Sequence, residues 1–242
     1  MVGVAGPLLF FSYGITKSGS TLAFELVRSA LDSCGFNQLR LSDRAVQGPD
    51  KVLNFVVDIG AAQQAALLRE AKELGYMVAL KTHRAPSIYV KELLHSGEAI
   101  GHVVYRDPRD IALSMLDHGR KARSNGEEAF AKIESLDDTV KAITSQLKRL
   151  EEWVQLPGMS LIHYDDLAFN TLATCGRILE QLQLDGSAKE ICRLVLEERF
   201  TQFNKGIPCR WKAEMTDFES ARFLQEFSAL YDLNPKASLE KT

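Results

Sequence analysis

The chain has 242 residues, 45% of them hydrophobic and 25% charged, a composition that suits one globular α/β domain with a substantial core. A formal net charge of −3 gives no basic excess, and so no support for general nucleic-acid or membrane-surface binding, while leaving room for a local basic pocket. Cys34, Cys175, Cys192 and Cys209 stand far apart without metal-ligand spacing, so free thiols in a reducing, cytoplasmic setting are expected and a disulfide framework is not.

Val2 to Phe11 is apolar, but it is too short to span a bilayer and lacks the basic flank of a signal peptide; a buried first strand and no membrane partner are expected. That run, from Pro7 to Phe11, ends in a loop rich in Gly, Ser and Thr, and then in a helical pattern carrying Leu22, Phe24, Leu26, Val27 and Ala30 as core positions. Strand, small-residue loop and helix together hold phosphate: uncrowded loop amides turn toward an anion, and a helix N-terminus adds about half a positive charge. Lys17 brings a full charge into the loop, Gly19 a flexible backbone, and Ser18, Ser20 and Thr21 hydroxyl donors. The order is not that of a Walker A motif, in which Gly-Lys-Ser/Thr comes last; here the lysine precedes Gly19. An ordinary turn before a helix is the competing reading of this loop taken alone.

Cys34 to Asp50 reads as a loop, and Lys51 to Asp58 as a short strand or buried connector. Ala61 to Gly75 reads as a helix closed by its glycine. Tyr76 to Leu80 reads as the second strand and runs into the basic cluster Lys81-Thr82-His83-Arg84. A short helix is expected over Ser87 to His95, and a third strand over Ile100 to Tyr105 that leads into Arg106-Asp107-Pro108-Arg109-Asp110. Asp107 suits a helix cap and Pro108 the first helical position. Gly119 to Glu128 is polar and reads as a surface loop or lid. Asp138 to Gln155 has helical periodicity, Met159 to Ile162 forms a fourth strand ending at His163-Tyr164-Asp165-Asp166, and helices are expected over Leu172 to Leu182, Ala188 to Arg199 and Phe218 to Tyr231. Phe203 to Lys212 is irregular and basic. Strands alternating with helices predict a single domain over residues 1–242: a three-layer sandwich with a central parallel sheet and helices on both faces. In such a sheet ligands sit beyond the C-terminal strand ends, so the Lys17 loop and the Lys81–Arg84 cluster belong to one edge.

Four segments then match one family in order, and a fifth adds to them. Lys17-Ser18-Gly19-Ser20-Thr21 resembles the 5′-phosphosulfate loop of sulfotransferases that use 3′-phosphoadenosine 5′-phosphosulfate (PAPS). Lys81-Thr82-His83 resembles the segment ending in that family's catalytic histidine, and Tyr105 to Ser114 its 3′-phosphate motif, in which an arginine and a serine eight positions later hold that phosphate. Lys205-Gly206 followed by Trp211-Lys212 is similar to the loop that closes over the nucleotide, and Tyr164-Asp165-Asp166-Leu167 to the segment whose tyrosine contacts adenine. The resemblance spans residues 8–212 and implies a P-loop NTPase-like fold and PAPS as the donor, without a metal. It implies sulfuryl transfer to a hydroxyl or amine of a small-molecule or glycan acceptor. Catalysis is expected from His83 as base with Lys17 and Lys81 on the transferred group, and cofactor binding from Lys17, Ser18, Gly19, Ser20, Thr21, Arg106, Ser114, Tyr164, Lys205 and Gly206.

The chemistry agrees residue by residue. Negative charge builds on the bridging oxygen as the sulfuryl group leaves, and a loop lysine offsets it. An imidazole near neutrality suits removal of the acceptor proton, and a guanidinium fork suits a phosphate. Arg109 is expected at the surface, and His95, His102, His118 and His163 are expected to be structural. The chain departs from the family at Leu22, where a stacking tryptophan is common, and at Asn204, Cys209 and Arg210 around the closing loop; Arg210 is a candidate to replace the arginine missing at position 204. Asp43 is the candidate if the base is a carboxylate. The rivals are a P-loop kinase or NTPase, disfavoured by the misplaced lysine, and a non-catalytic nucleotide-binding protein of the same fold. The C-terminus has no convincing match to the dimer motif of cytosolic members, which leaves a homodimer open.

Overall fold

The computed structural model describes residues 6–46, 52–199 and 206–233. Its centre is a sheet of four parallel strands, β1 (Leu9–Gly14), β2 (Val78–Thr82), β3 (Ala99–Tyr105) and β4 (Met159–His163), in the order β2-β1-β3-β4. Successive residues of a strand point to opposite faces, and both faces here are covered, so the strands carry apolar residues on each. Leu9, Phe11 and Tyr13 of β1 enter one core, and Phe10 enters the other. The first core is closed by α2 (Ala61–Leu74), α3 (Ile88–His95), α4 (Pro108–Asn125), α5 (Leu136–Val154), α10 (Asp217–Glu226) and α11 (Ser228–Asp232). The second is closed by α1 (Ser20–Ser33), α6 (Tyr164–Phe169), α7 (Thr171–Leu182), α8 (Ala188–Leu194) and a π-helical turn over Val195–Arg199, while α9 (Trp211–Glu214) is a single turn. The expected three-layer arrangement around a parallel sheet is the one observed.

Several elements differ from expectation for identifiable reasons. β1 runs on through Ser12 to Gly14 because the buried Ser12 hydroxyl finds His102 Nε2 at 2.7 Å on β3, so a polar residue costs the strand little. Lys81 lies inside β2, paired with Ser12 on one side and with Phe55 on the other. That bridge is all the strand character of residues 52–58, which form a connector. The polar stretch Gly119 to Asn125 is the last part of α4, and no lid: its charged residues face solvent while Gly119 and Ala122 are buried, Gly119 against the backbone of Phe130 and Ile133. Gly126 then closes the helix at φ 67°. Asp107 and Pro108 take their expected cap and first-turn places, Asp107 accepting from the Arg109 amide. The expected last helix is broken at Phe227 into α10 and α11. Among the described residues, no helix is long and apolar enough to cross a membrane.

The topology places the ends of β1, β2, β3 and β4 along one edge, and with them the residues that follow each strand: Ile15 to Gly19, His83, Arg106 and Tyr164. Segments scattered over 150 residues of sequence thus meet at one rim.

Candidate active site

The turn after β1 is built from backbone. Ile15 donates its amide to Val104 O at 3.3 Å, and Ser18 returns its amide to Ile15 O at 3.1 Å. The Ser18 hydroxyl is turned inward to Ile15 O (2.6 Å) and Val104 O (3.0 Å), so it braces the turn and does not face outward as an anion ligand. Lys17 sits at φ 72° and Gly19 at φ 86°, both left-handed. Gly19 is needed there twice over, because a β-carbon would also stand 2.8 Å from Tyr164 Cδ2. Helix α1 opens without a side-chain cap and without an acidic residue in its first turn, which leaves its leading amides to an external anion. Ser20, buried at the first position of α1, packs against Gly14.

Two amines converge on this turn. Lys81 donates to Thr21 Oγ1 at 2.6 Å, which places β2 against the start of α1. Burial pushes the Lys81 ammonium down to about 8, with Glu25 drawing it back up. Burial also brings Lys17 down to about 8; its Nζ lies 5.0 Å from the centroid of the Phe130 ring. Neither lysine forms an ion pair among the described residues. Desolvated ammonium groups without a carboxylate partner are poised to receive an anion.

His83 follows β2, half-buried, with Nδ1 2.7 Å from the carbonyl oxygen of Gly14. A carbonyl only accepts, so Nδ1 carries the proton and Nε2 holds the lone pair. Burial, then the Lys81 charge, brings the imidazole down to about 4, against the pull of the Gly14 bond. It is therefore neutral at pH 7, with its basic nitrogen fixed. Helix α5 holds the same segment: Arg149 Nη1 donates to His83 O at 3.4 Å and Trp153 Nε1 to Arg84 O at 2.8 Å. The Phe55 ring lies against the imidazole at 5.7 Å.

Beyond β3 the Arg106 guanidinium lies 3.8 Å above the ring of Tyr164, which in turn packs on Gly19. Arg106 Nη2 reaches Asp110 Oδ2 at 3.4 Å, and Asp110 Oδ1 accepts the Trp211 amide at 3.1 Å. Arg106 Nε is buried without a partner, an orphan donor that an anionic group would satisfy. Ser114 is buried on α4, four residues beyond Asp110 and so on the same face of that helix. A cavity of about 170 Å³ beside Arg106 is lined by Asp107, Asp110, Asp165, Asp166, Trp211 and Tyr231 among others.

Other expectations are corrected. Arg109 is not a surface residue: it is 6% exposed, paired with Asp107 at 2.6 Å, bonded to Ser220 at 3.0 Å and stacked 3.4 Å from the Trp211 ring. It ties α4 to the C-terminal elements. Arg210 is equally committed, to Asp117 at 2.9 Å and Glu214 at 2.8 Å, and does not stand as a spare phosphate ligand. The Asp43 side chain is 91% exposed and paired with Arg40, an open solvent position and not one enclosed beside the Lys17 loop. Lys205 and Asn204 lie outside the described residues; Gly206, at φ 59°, begins the stretch that leads to Trp211. His102 is bonded to Ser12, His163 accepts from the Asp165 amide and His95 bonds Lys91 O, as structural histidines do. His118 packs edge-on to Phe130. Sequence reasoning did not find Phe55, Phe130, Gln146, Arg149 or Trp153, which reach the site from distant segments and carry no motif.

The model of the sulfotransferase domain matches residues 10–229. This chain belongs to the sulfotransferase family. The structure of retinol dehydratase in complex with retinol and PAP is 17% identical, with a TM-score of 0.61 over 93% of this chain and 81% of that one. The structure of mouse sulfotransferase SULT7A1 complexed with PAP is 14% identical, with a TM-score of 0.61 over 97% of this chain and 89% of that one. No curated protein sequence matches. The sulfotransferase fold is P-loop NTPase-like, and the family's reaction is PAPS-dependent sulfuryl transfer.

Proposed function

We propose that Lys17, Lys81 and His83 carry the transfer, and that the acceptor is a hydroxyl or amine of a small molecule or glycan. The observation that carries this reading is two desolvated lysines without ion pairs among the described residues, beside an imidazole whose basic nitrogen is fixed. PAPS supplies the sulfuryl group. Lys17 neutralises the charge that grows on the phosphate oxygen as its bond to sulfur breaks, and Lys81 offsets charge on the sulfonate. His83 Nε2 takes the acceptor proton as the new bond to sulfur forms; an anionic donor offsets the Lys81 charge and raises the imidazole from its value of about 4 toward the range useful for a base. Amides of the loop and of the start of α1 bind the 5′-phosphate. Arg106 and Ser114 hold the 3′-phosphate, Tyr164 contacts the adenine, and Gly206 with Lys205 contributes to closure.

No metal enters this scheme, since the lysines supply the positive charge; EDTA is expected to leave turnover unchanged. A reducing cytoplasmic location is supported by the four free thiols. The decisive experiment is calorimetric titration with PAP, adenosine 5′-phosphate and ATP with magnesium, on wild type and Arg106→Ala. Selective PAP binding that is lost in the variant supports the reading, and preference for ATP with magnesium overturns it in favour of a kinase or NTPase. Radiolabelled PAPS offered with a panel of phenols, alcohols, amines and oligosaccharides then separates an enzyme from a binding protein.

A further inference from the structure

The loop carrying Lys17 is held from outside by a side chain that no motif marks. Gln146 lies in the middle of α5, 8% exposed. Its Oε1 accepts two hydrogen bonds from Thr16, one from the amide and one from the hydroxyl, each at 2.9 Å. Its Nε2 donates to Ala142 O at 3.1 Å, which fixes which end of the amide faces the loop. Three and seven residues on, along the same stripe of the helix, Arg149 and Trp153 hold the carbonyls of His83 and Arg84. One helix thus grips both segments that carry the proposed chemistry. Thr16 immediately precedes Lys17, whose left-handed φ of 72° persists only where the surroundings determine it.

We propose that Gln146 is a positioning residue: it anchors Thr16 to α5 and so sets the backbone from which Lys17 meets the 5′-phosphate side of the nucleotide. This rests on the reading of the Lys17 loop as the 5′-phosphate site. Gln146 touches no substrate. It acts on one end of the nucleotide only, because Arg106 reaches the site from β3 by a separate route.

The test compares adenosine 5′-phosphate with adenosine 3′-phosphate on wild type, Gln146→Leu, Thr16→Val and Arg106→Ala. Gln146→Leu is expected to weaken adenosine 5′-phosphate about tenfold while leaving adenosine 3′-phosphate within about twofold, the scale of loss that a small misplacement of a binding group produces. Arg106→Ala is expected to show the reverse pattern. Thr16→Val removes only the hydroxyl and should give a smaller loss of the same kind. The double variant should lose less than the product of the two single effects, because both act on one contact. Equal loss of both nucleotides in Gln146→Leu with its melting temperature preserved, or no loss of either, overturns the proposal. If Gln146→Leu does not fold, the Thr16→Val pattern decides in the same terms. If wild type binds neither nucleotide, the reading of the site fails instead, and amide exchange at Thr16 still judges the anchor: at least about tenfold faster exchange in Gln146→Leu is expected once its acceptor is gone, and an unchanged rate overturns it.

Discussion

Raising the pH from 7 to 9 is expected to weaken PAP binding about a hundredfold, and Lys17→Arg is expected to reduce that loss to about tenfold. Lys17 and Lys81 each lie at about 8 in the free protein because burial disfavours their charged forms. An adjacent phosphate favours the charged form and returns each amine toward its ordinary range in the complex. The sign follows: the free protein loses these protons as pH rises through 8, and binding must then restore them. Each lysine therefore costs a factor of 1 + 10^(pH−8), which is about 1.1 at pH 7 and about 11 at pH 9, or ~1.4 kcal/mol over the interval. Two lysines make ~2.7 kcal/mol. The phosphates of PAP do not add to this, since their second ionisation, at about 6, is already complete. Arginine stays protonated throughout, so Lys17→Arg leaves only the Lys81 contribution. Calorimetry at pH 7, 8 and 9 in buffers of different ionisation enthalpy reads both the affinity and the protons taken up, about two per complex at pH 9 in wild type and about one in the variant. A change in Kd below about threefold in wild type, or the same slope in Lys17→Arg, refutes the desolvation argument.

His83→Ala should abolish transfer while leaving PAP affinity within about threefold, because the imidazole is assigned to the acceptor proton and not to the nucleotide; wild-type turnover in the variant removes that assignment. His102 is fully buried and lies at about 3, so the unfolded chain takes its proton near pH 6.5 while the folded one does not, and stability present above 6.5 is lost as pH falls toward 3. Between pH 7 and 5 that is ~2 kcal/mol. Urea unfolding at pH 7 and pH 5 should show wild type losing about that much more than His102→Met, and equal losses would locate the acid sensitivity elsewhere. Gly19→Ala places a β-carbon against Tyr164 at a backbone angle costing ~1–2 kcal/mol for other residues. A lower unfolding midpoint and weaker PAP binding are expected together; an unchanged midpoint would mean that the loop and Tyr164 move apart at no cost.

Most of the candidate positions legible in sequence share one property: they stand at or just beyond the end of a strand. Lys17, His83, Arg106 and Tyr164 all stand just beyond strands, and a parallel sheet gathers such positions at one edge. What stayed hidden depends on distance. Gln146 meets Thr16 across 130 residues and Trp153 meets Arg84 across 69, and nothing local in α5 distinguishes them from other positions of an amphipathic helix. Arg109 and Arg210 misled for another reason. An arginine's burial depends on the carboxylates and rings that meet it; Asp107 and Glu214 are near neighbours in sequence, but Trp211 on Arg109 and Asp117 on Arg210 come from other elements and complete the burial. The polar composition of Gly119 to Glu128 suggests a surface loop, yet the chain is helical through Asn125, because a helix with one wet face needs only a few small residues on its dry side.

The bond between His83 and Gly14 has a consequence for how this site tolerates change. In many enzymes the tautomer of a histidine is set by a carboxylate side chain, and one substitution there removes it. Here the orienting atom is a main-chain oxygen, present whichever amino acid occupies position 14. The glycine is demanded by something else: a β-carbon there would stand 2.7 Å from that of Ser20. Mutating position 14 therefore probes space and not proton placement, and a scan of side chains for the partner of His83 would return a blank at the residue that provides it.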